Sequence, residues 1–177
     1  MGTSFEADST KQETKVIELG GGEAALEHRA FLSLVRTASR LEGELNRLFR
    51  QHDLTNATYN ILRVLEPVGA QGLSCGEIAE QLIAEVPDMT RLLDRLERLD
   101  YVSRHRSEVD RRMVKVTLSA KGLAVLHELR DPVGQCHKKQ MSGLDQQRLV
   151  DLMGLLQQVQ LASGDALERP APLAGNA

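Results

Sequence analysis

From Glu23 to His52 the apolar residues Phe31, Leu34, Ala38, Leu41, Leu45 and Leu48 recur at alternating spacings of three and four. That is the heptad-like stripe of one long helix. The stripe is too narrow for a helix buried on several sides, so it predicts a partner helix. Two shorter helices follow, with matching starts. Leu54-Thr55 and Leu73-Ser74 each set an apolar residue before a hydroxyl N-cap, with Tyr59 and Ile78 placed to pack back on it, and Ser74 with Glu77 completes a Ser-x-x-Glu capping box. The first is expected to end before Pro67 to Gly72 and the second near Ala84. Pro87 suits the first turn of another helix running to about Asp100. Its residues Met89, Leu92, Leu93, Leu96 and Leu99 fall on one side, leaving Pro87, Thr90, Arg91, Asp94 and Arg98 on the other.

The period then changes. Tyr101 to Arg106 and Met113 to Leu118 alternate with a period of two, as paired strands do, and Ser107 to Arg112 between them is a charged connection. This predicts a hairpin with a basic tip. Ser119 caps a further helix, which meets Pro132 and is expected to kink there, or to break and restart with Asp131 as its cap. After Ser142-Gly143 a last helix carries Leu149, Leu152, Met153, Leu156 and Val159 on one stripe. Two short helices followed at once by a basic hairpin make a winged helix-turn-helix. The expected fold is therefore mainly α with one small β-hairpin. Residues 54–118 form the winged helix-turn-helix, 23–53 and 119–162 are dimerisation helices, 1–22 are a disordered arm, and 163–177 are a loose tail.

Charge sharpens this picture. Between Tyr101 and Lys121 six positive side chains (Arg104, Arg106, Arg111, Arg112, Lys115, Lys121) face two negative ones (Glu108, Asp110), a surplus of +4 in a chain whose formal net charge is -3. An acidic chain does not bind polyanions indiscriminately, so contact with nucleic acid has to come from a local patch. With no Trp and 3% aromatic residues, a base-stacking platform for single strands is not expected. No apolar run is long enough to span a bilayer and the polar N-terminus lacks the core of a signal peptide, so a cytoplasmic protein without membrane contact is expected. Cys75 and Cys136 are far apart in sequence and read as packing residues. The cluster His127, Cys136 and His137 lacks tight ligand spacing, so no metal or cofactor is expected. Nor is there a nucleophile with its base, or a phosphate-binding glycine loop, which argues against an enzyme.

The joined pattern resembles the MarR family of bacterial transcriptional regulators across roughly residues 26 to 160. The matching residues are Leu54-Thr55 with Ile61 to Leu65, Leu73-Ser74 with Glu77-Ile78-Ala79, Thr90 to Glu97, Tyr101 to Arg104, and Asp110-Arg111-Arg112 through Val116-Thr117-Leu118 to Gly122. The resemblance implies a homodimer with intertwined terminal helices, which would engage Phe31, Leu34, Leu41, Leu45, Leu48, Leu149, Leu152 and Leu156. It also implies binding to a short pseudo-palindrome in promoter DNA and release by a small aromatic or lipophilic effector, hence a repressor.

In such a fold the second helix of the helix-turn-helix enters the major groove and the wing lies on the backbone or minor groove. The candidate DNA contacts are accordingly Pro87, Asp88, Thr90, Arg91, Asp94, Arg95 and Arg98 on that helix, with Arg111 and Arg112 on the wing. At least one of the two wing arginines is expected on DNA and the other on Asp110; which is which stays open. Asp94 and Arg98 also have the spacing of a helical ion pair. This chain opens its recognition helix with Glu85-Val86-Pro87-Asp88, where the family commonly has small hydroxyl residues. Acidic groups there repel phosphate, although an Asp can accept from cytosine N4. That departure favours a second reading, a winged-helix protein-interaction module. In relatives the effector lies between the dimer helices and the winged unit, which here implies Phe49, His52, Tyr59 and Arg63 as an aromatic wall with a cationic group for a carboxylate.

Overall fold

The computed structural model describes residues 25–82, 86–106 and 112–163. The expected arm at 1–22, the tail beyond Ser163, Ile83 to Glu85, and Ser107 to Arg111 of the wing tip lie outside the described residues; the second short helix, expected to run to near Ala84, ends at Gln81 with Leu82 as its extended C-cap. The described residues fall into two units divided between Gly43 and Glu44, and α1 (Leu26–Phe49) begins in the first and ends in the second.

Within the second unit α1 passes into a single tight turn, Arg50–His52, closed by Asp53 in the left-handed conformation. The helix α2 (Asn56–Leu65) starts at Thr55, where Thr55 N–H donates to Thr58 Oγ1 (2.8 Å) and Thr58 N–H returns to Thr55 Oγ1 (3.3 Å). A threonine thus plays the part usually taken by Glu or Gln at the third position of the box. Leu54 and Tyr59, on either side of the cap, are both buried as the staple requires. After the turn Glu66–Gln71 comes α3 (Cys75–Gln81), opened by the expected box: Ser74 N–H donates to Glu77 Oε2 (2.6 Å) and Glu77 N–H to Ser74 Oγ (3.3 Å).

The helix α4 (Met89–Arg98) starts later than Pro87 suggests. Asp88 is the N-cap, in the left-handed conformation (φ 60°), with its Oδ1 accepting from Arg91 N–H at 3.3 Å. Pro87 therefore precedes the helix instead of occupying its first turn. Asp can take this backbone geometry at modest cost and still cap, which Pro, fixed at negative φ, cannot.

Strands β1 (Val102–Arg106) and β2 (Val114–Leu118) pair antiparallel, with Val102 opposite Leu118 and Arg106 opposite Val114. The other edge of β2 is met by Leu73, which exchanges two backbone hydrogen bonds with Val116 (3.0 and 2.7 Å). This ties the start of α3 to the wing. Gly72 makes that approach possible: its φ is +62°, and a Cβ there would stand 2.6 Å from Val116 O.

Helix α5 (Ala120–Gln140) is capped by Ser119 and runs through Pro132 as one element, so the expected break and restart at Asp131 does not occur. Proline removes the donor for the carbonyl of Glu128, but Glu128, Asp131 and Pro132 all lie on the exposed side, where solvent can satisfy that carbonyl. The buried Leu129 and Val133 hold the helix on either side. Helix α6 (Gln146–Ala162) begins at Asp145, whose Oδ1 accepts from Arg148 N–H (2.9 Å).

The core joins Phe49 and Leu54 to Ile61, Leu62 and Leu65 of α2, Ile78 of α3, Leu93 and Leu96 of α4, Val102 and Val116 of the ribbon, and Leu126 and Leu129 of α5. Its effect is to fix α4 by one face only. Helix α6, by contrast, has no buried residue. In α1, Leu26, Phe31, Leu34 and Val35 are exposed, Phe31 by 58%.

Candidate nucleic-acid interface

The sequence of α4 separates its two faces cleanly. Leu93 and Leu96 are fully buried, Met89, Leu92 and Leu99 pack half-buried against the same core, and Thr90, Arg91, Asp94, Glu97 and Arg98 stay exposed. Pro87 and Asp88 are exposed too. An outward helix of this kind, held by its apolar side beside a ribbon, has the shape that fits a major groove.

The charges on this surface are not equally available. Arg95 is only half exposed, and its Nη2 donates to Asp53 O at 2.7 Å, so this guanidinium fastens α4 to the turn before α2. Asp94 does not pair with Arg98 through its carboxylate. Arg98 reaches only the backbone oxygen of residue 94 (3.4 Å), while the carboxylate of Asp94 is taken by Arg104 of β1. Arg104 Nη1 also lies 3.4 Å from Glu97 Oε2, and its Nη2 donates to Thr90 O at 3.3 Å. Planar forks of this sort satisfy several acceptors at once.

The partner strand makes a second clamp. Lys115 Nζ donates to Glu77 Oε2 at 2.7 Å, and that same oxygen accepts from Ser74 N–H. The ammonium of Lys115 and the donors of Ser74 lower the Glu77 carboxyl to a pKa of about 2, because each stabilises the ionised form. Lys121 is also spent within the fold. Its Nζ donates to Leu99 O (2.8 Å) and lies 5.1 Å from the Tyr101 ring centroid. Three of the six cations that made the hairpin segment basic are therefore spent within the fold, Arg104 and Lys115 holding the wing to α4 and α3 and Lys121 holding α5 to the end of α4. Arg106, at the outer end of β1, is exposed, and Arg112, just before β2, is exposed as well. Among the described residues neither Arg91 nor Arg106 has an ion-pair partner with a carboxylate. Arg106 counted in the basic surplus of the sequence but not among the candidate DNA contacts; its alternation with Arg104 puts both on one face of the strand, with Arg106 nearer the tip. Arg111 lies outside the described residues.

The expected effector wall looks different in the structure. Phe49 and Tyr59 stack on each other, with centroids 4.4 Å apart and planes 20° apart, and both are buried core residues, not the lining of an open pocket. Burial raises the pKa of the Tyr59 hydroxyl, against the opposing pull of Arg63. His52 Nε2 stands 3.8 Å from Glu128 Oε1, and its backbone oxygen accepts from Tyr101 Oη–H (3.1 Å). Arg63 is exposed. A cleft of about 370 Å³ does open elsewhere, among Glu66, Ala70, His105, Leu118 and Leu123. Its Glu66 carboxylate is engaged by Arg130 (2.8 Å). Among the described residues no group of three His, Cys, Asp or Glu side chains comes together as a metal site, and no helix is long and apolar enough to cross a membrane.

Comparison with known proteins bears on what such a surface does. A family model described as "MarR family" matches residues 54–114. A solved MarR transcription factor from Planctomyces limnophilus is 37% identical, covering 77% of this chain and 98% of that one with a TM-score of 0.60. A mutant MarR from E. coli, solved in complex with operator DNA, is 26% identical, covering 77% of this chain and 99% of that one with a TM-score of 0.66. The transcriptional activatory protein BadR of Rhodopseudomonas palustris is 32% identical over 108 residues, 60% of this chain and 62% of BadR. The chain spans 62 to 63% of the length of the first curated relatives it matches.

Proposed function

Because this chain belongs to the MarR family, we propose that it is a cytoplasmic, sequence-specific double-stranded DNA-binding transcriptional regulator and not an enzyme. In this reading it acts as a homodimer that represses at a promoter and is released by a small aromatic or lipophilic effector. The observation that carries the DNA-binding part is the exposed face of α4, where Arg91 and Arg98 stand on a helix anchored by its opposite side, with Arg106 and Arg112 on the adjoining ribbon. The test is binding to the chain's own upstream promoter fragment with competitor DNA present. With about six arginines per dimer placed against the DNA, Arg91, Arg111 and Arg112 of each subunit, log affinity should fall against log salt with a slope near -5. A flat salt response, or no shift of promoter DNA, would favour the protein-interaction module.

The homodimer is supported by the apolar side chains left in water by one chain: Leu26 and Phe31 of α1, and Val150, Met153, Leu155, Val159 and Leu161 of α6, each more than half exposed. Large apolar side chains exposed in such number call for a partner surface, and a second copy would bring the same helices, with Leu41, Leu45 and Leu48 and with Leu149, Leu152 and Leu156. Repression predicts that deleting the gene raises transcription from the bound promoter. A fall would assign activation, as BadR's name does for that protein. For the effector, Arg63 and His52 remain the candidate cationic partners of a carboxylate, while Phe49 and Tyr59 would have to open from their stack. Salicylate-like acids should release DNA and raise melting temperature in the wild type, and lose both effects in His52→Ala or Arg63→Ala.

A further inference from the structure

The exposed face of α4 presents a difficulty for a DNA-binding helix, because Asp94 and Glu97 stand on it and any carboxylate near phosphate is repelled. Both are met by one cation. Arg104 Nη1 binds the Asp94 carboxylate and lies 3.4 Å from Glu97 Oε2, while Nη2 donates to Thr90 O, one turn earlier on the same helix. We propose that Arg104 is a positioning residue for DNA binding: it engages both acidic groups of the recognition helix, offsetting one of their two negative charges, and fixes the wing to that helix, instead of contacting DNA itself.

The inference rests on the DNA-binding reading above, and three features carry it beyond that reading. The register puts Arg104 opposite Val116, which is fully buried, so the side chain leaves the ribbon on its inner face, toward α4 and not toward the outside. Its side chain is 24% exposed, whereas those of Asp94 and Glu97 are 51% and 43% exposed, so the guanidinium is the more covered partner of the cluster. The neighbouring Lys115, which points to the opposite face, makes the matching contact to Glu77 of α3, so that each strand is clamped to one helix of the helix-turn-helix. A ribbon held at two points approaches DNA at a fixed pitch relative to α4.

Charge counting makes the test sharp. The cluster of Arg104, Asp94 and Glu97 carries a net -1 in the wild type, -2 in Arg104→Ala and -1 again in Arg104→Ala with Asp94→Asn. Promoter affinity should fall roughly tenfold in Arg104→Ala, less so at high salt where repulsion is screened. It should return to within about threefold of wild type in the Arg104→Ala/Asp94→Asn double variant. Asp131→Asn, a carboxylate on α5, should give no such recovery when combined with Arg104→Ala, and Arg104→Lys should lie between wild type and Arg104→Ala. Each variant is first checked for a normal melting curve, and Arg104→Gln serves if the alanine variant melts early. A double variant as weak as Arg104→Ala would assign Arg104 to direct DNA contact and overturn the proposal, as would unchanged binding by Arg104→Ala. Failure of the wild type itself to bind promoter DNA would instead remove the reading on which the proposal depends.

Discussion

Replacing Gly122 by Ala isolates the contact that seats α5 on the wing. Gly122 lies in the first turn of α5, and its N–H donates to the capping Ser119 Oγ at 2.9 Å. A Cβ added there would meet Tyr101 C at 3.0 Å and Tyr101 O closer still, with Leu118 Cδ1 at 3.2 Å. Tyr101 O already accepts from Ser119 N–H at 3.0 Å, so backbone, not a yielding side chain, stands in the way. Carbon and carbonyl oxygen settle no nearer than about 3.3 Å, so the helix start must back away by roughly an ångström, stretching the Ser119 bond. Overpacking of this kind costs about 1 to 3 kcal/mol and the weakened hydrogen bond about 1, while Ala recovers about 1 from its better helix propensity. The net loss is about 2 kcal/mol, or a fall in melting temperature of roughly 4 to 8 °C for a chain of this size. Gly134→Ala in the same helix is the control. Nothing lies within 4 Å of its added Cβ, so helix propensity alone should raise the melting temperature by about 2 to 4 °C. Thermal melts of the three proteins under one set of conditions decide it. If Gly122→Ala melts at or above the wild type, the close approach of α5 to Tyr101 is not what holds these elements together.

Other perturbations separate the remaining contacts. Glu77 has a folded pKa of about 2, below its ordinary value, so its stabilising contribution is complete at neutral pH and disappears as pH falls from about 4.5 toward 2. The melting-temperature gap between wild type and Glu77→Gln should close over that window; a gap independent of pH would detach Glu77 from the Lys115 clamp. Arg91→Ala should change which operator bases are preferred, by about 1 to 3 kcal/mol at one position, in a competition assay over sequence variants. Equal weakening on every sequence would move Arg91 to the phosphate backbone. Ending the chain at Gly143 should abolish the dimer in light scattering, whereas removing residues 1–20 should not. A folded, soluble monomer of the shortened chain would refute dimerisation through α6.

What could be read along the chain is what a few neighbouring residues settle among themselves. The caps at Thr55, Ser74 and Ser119 each close within one turn, the apolar face of α4 follows from the period of the helix, and the ribbon from the alternation of Val114, Val116 and Leu118. These made the winged helix-turn-helix legible from the pattern alone, and with it the solvent face that carries Arg91. Partners chosen across the fold left no such trace. Asp94 has Arg98 four residues away and binds Arg104 instead, because strand register brings a guanidinium with three acceptors in reach, and no local spacing encodes that. In the same way Lys115 and Lys121 read as part of a basic patch until α3 and the end of α4 are packed beside them. Phe49 and Tyr59 read as a pocket wall until the turn at Arg50–His52 folds one ring onto the other. Where a side chain's neighbour is fixed by the backbone of its own element, sequence is enough; where two elements must meet first, a charge can serve the fold or the DNA, and only the packing decides between them.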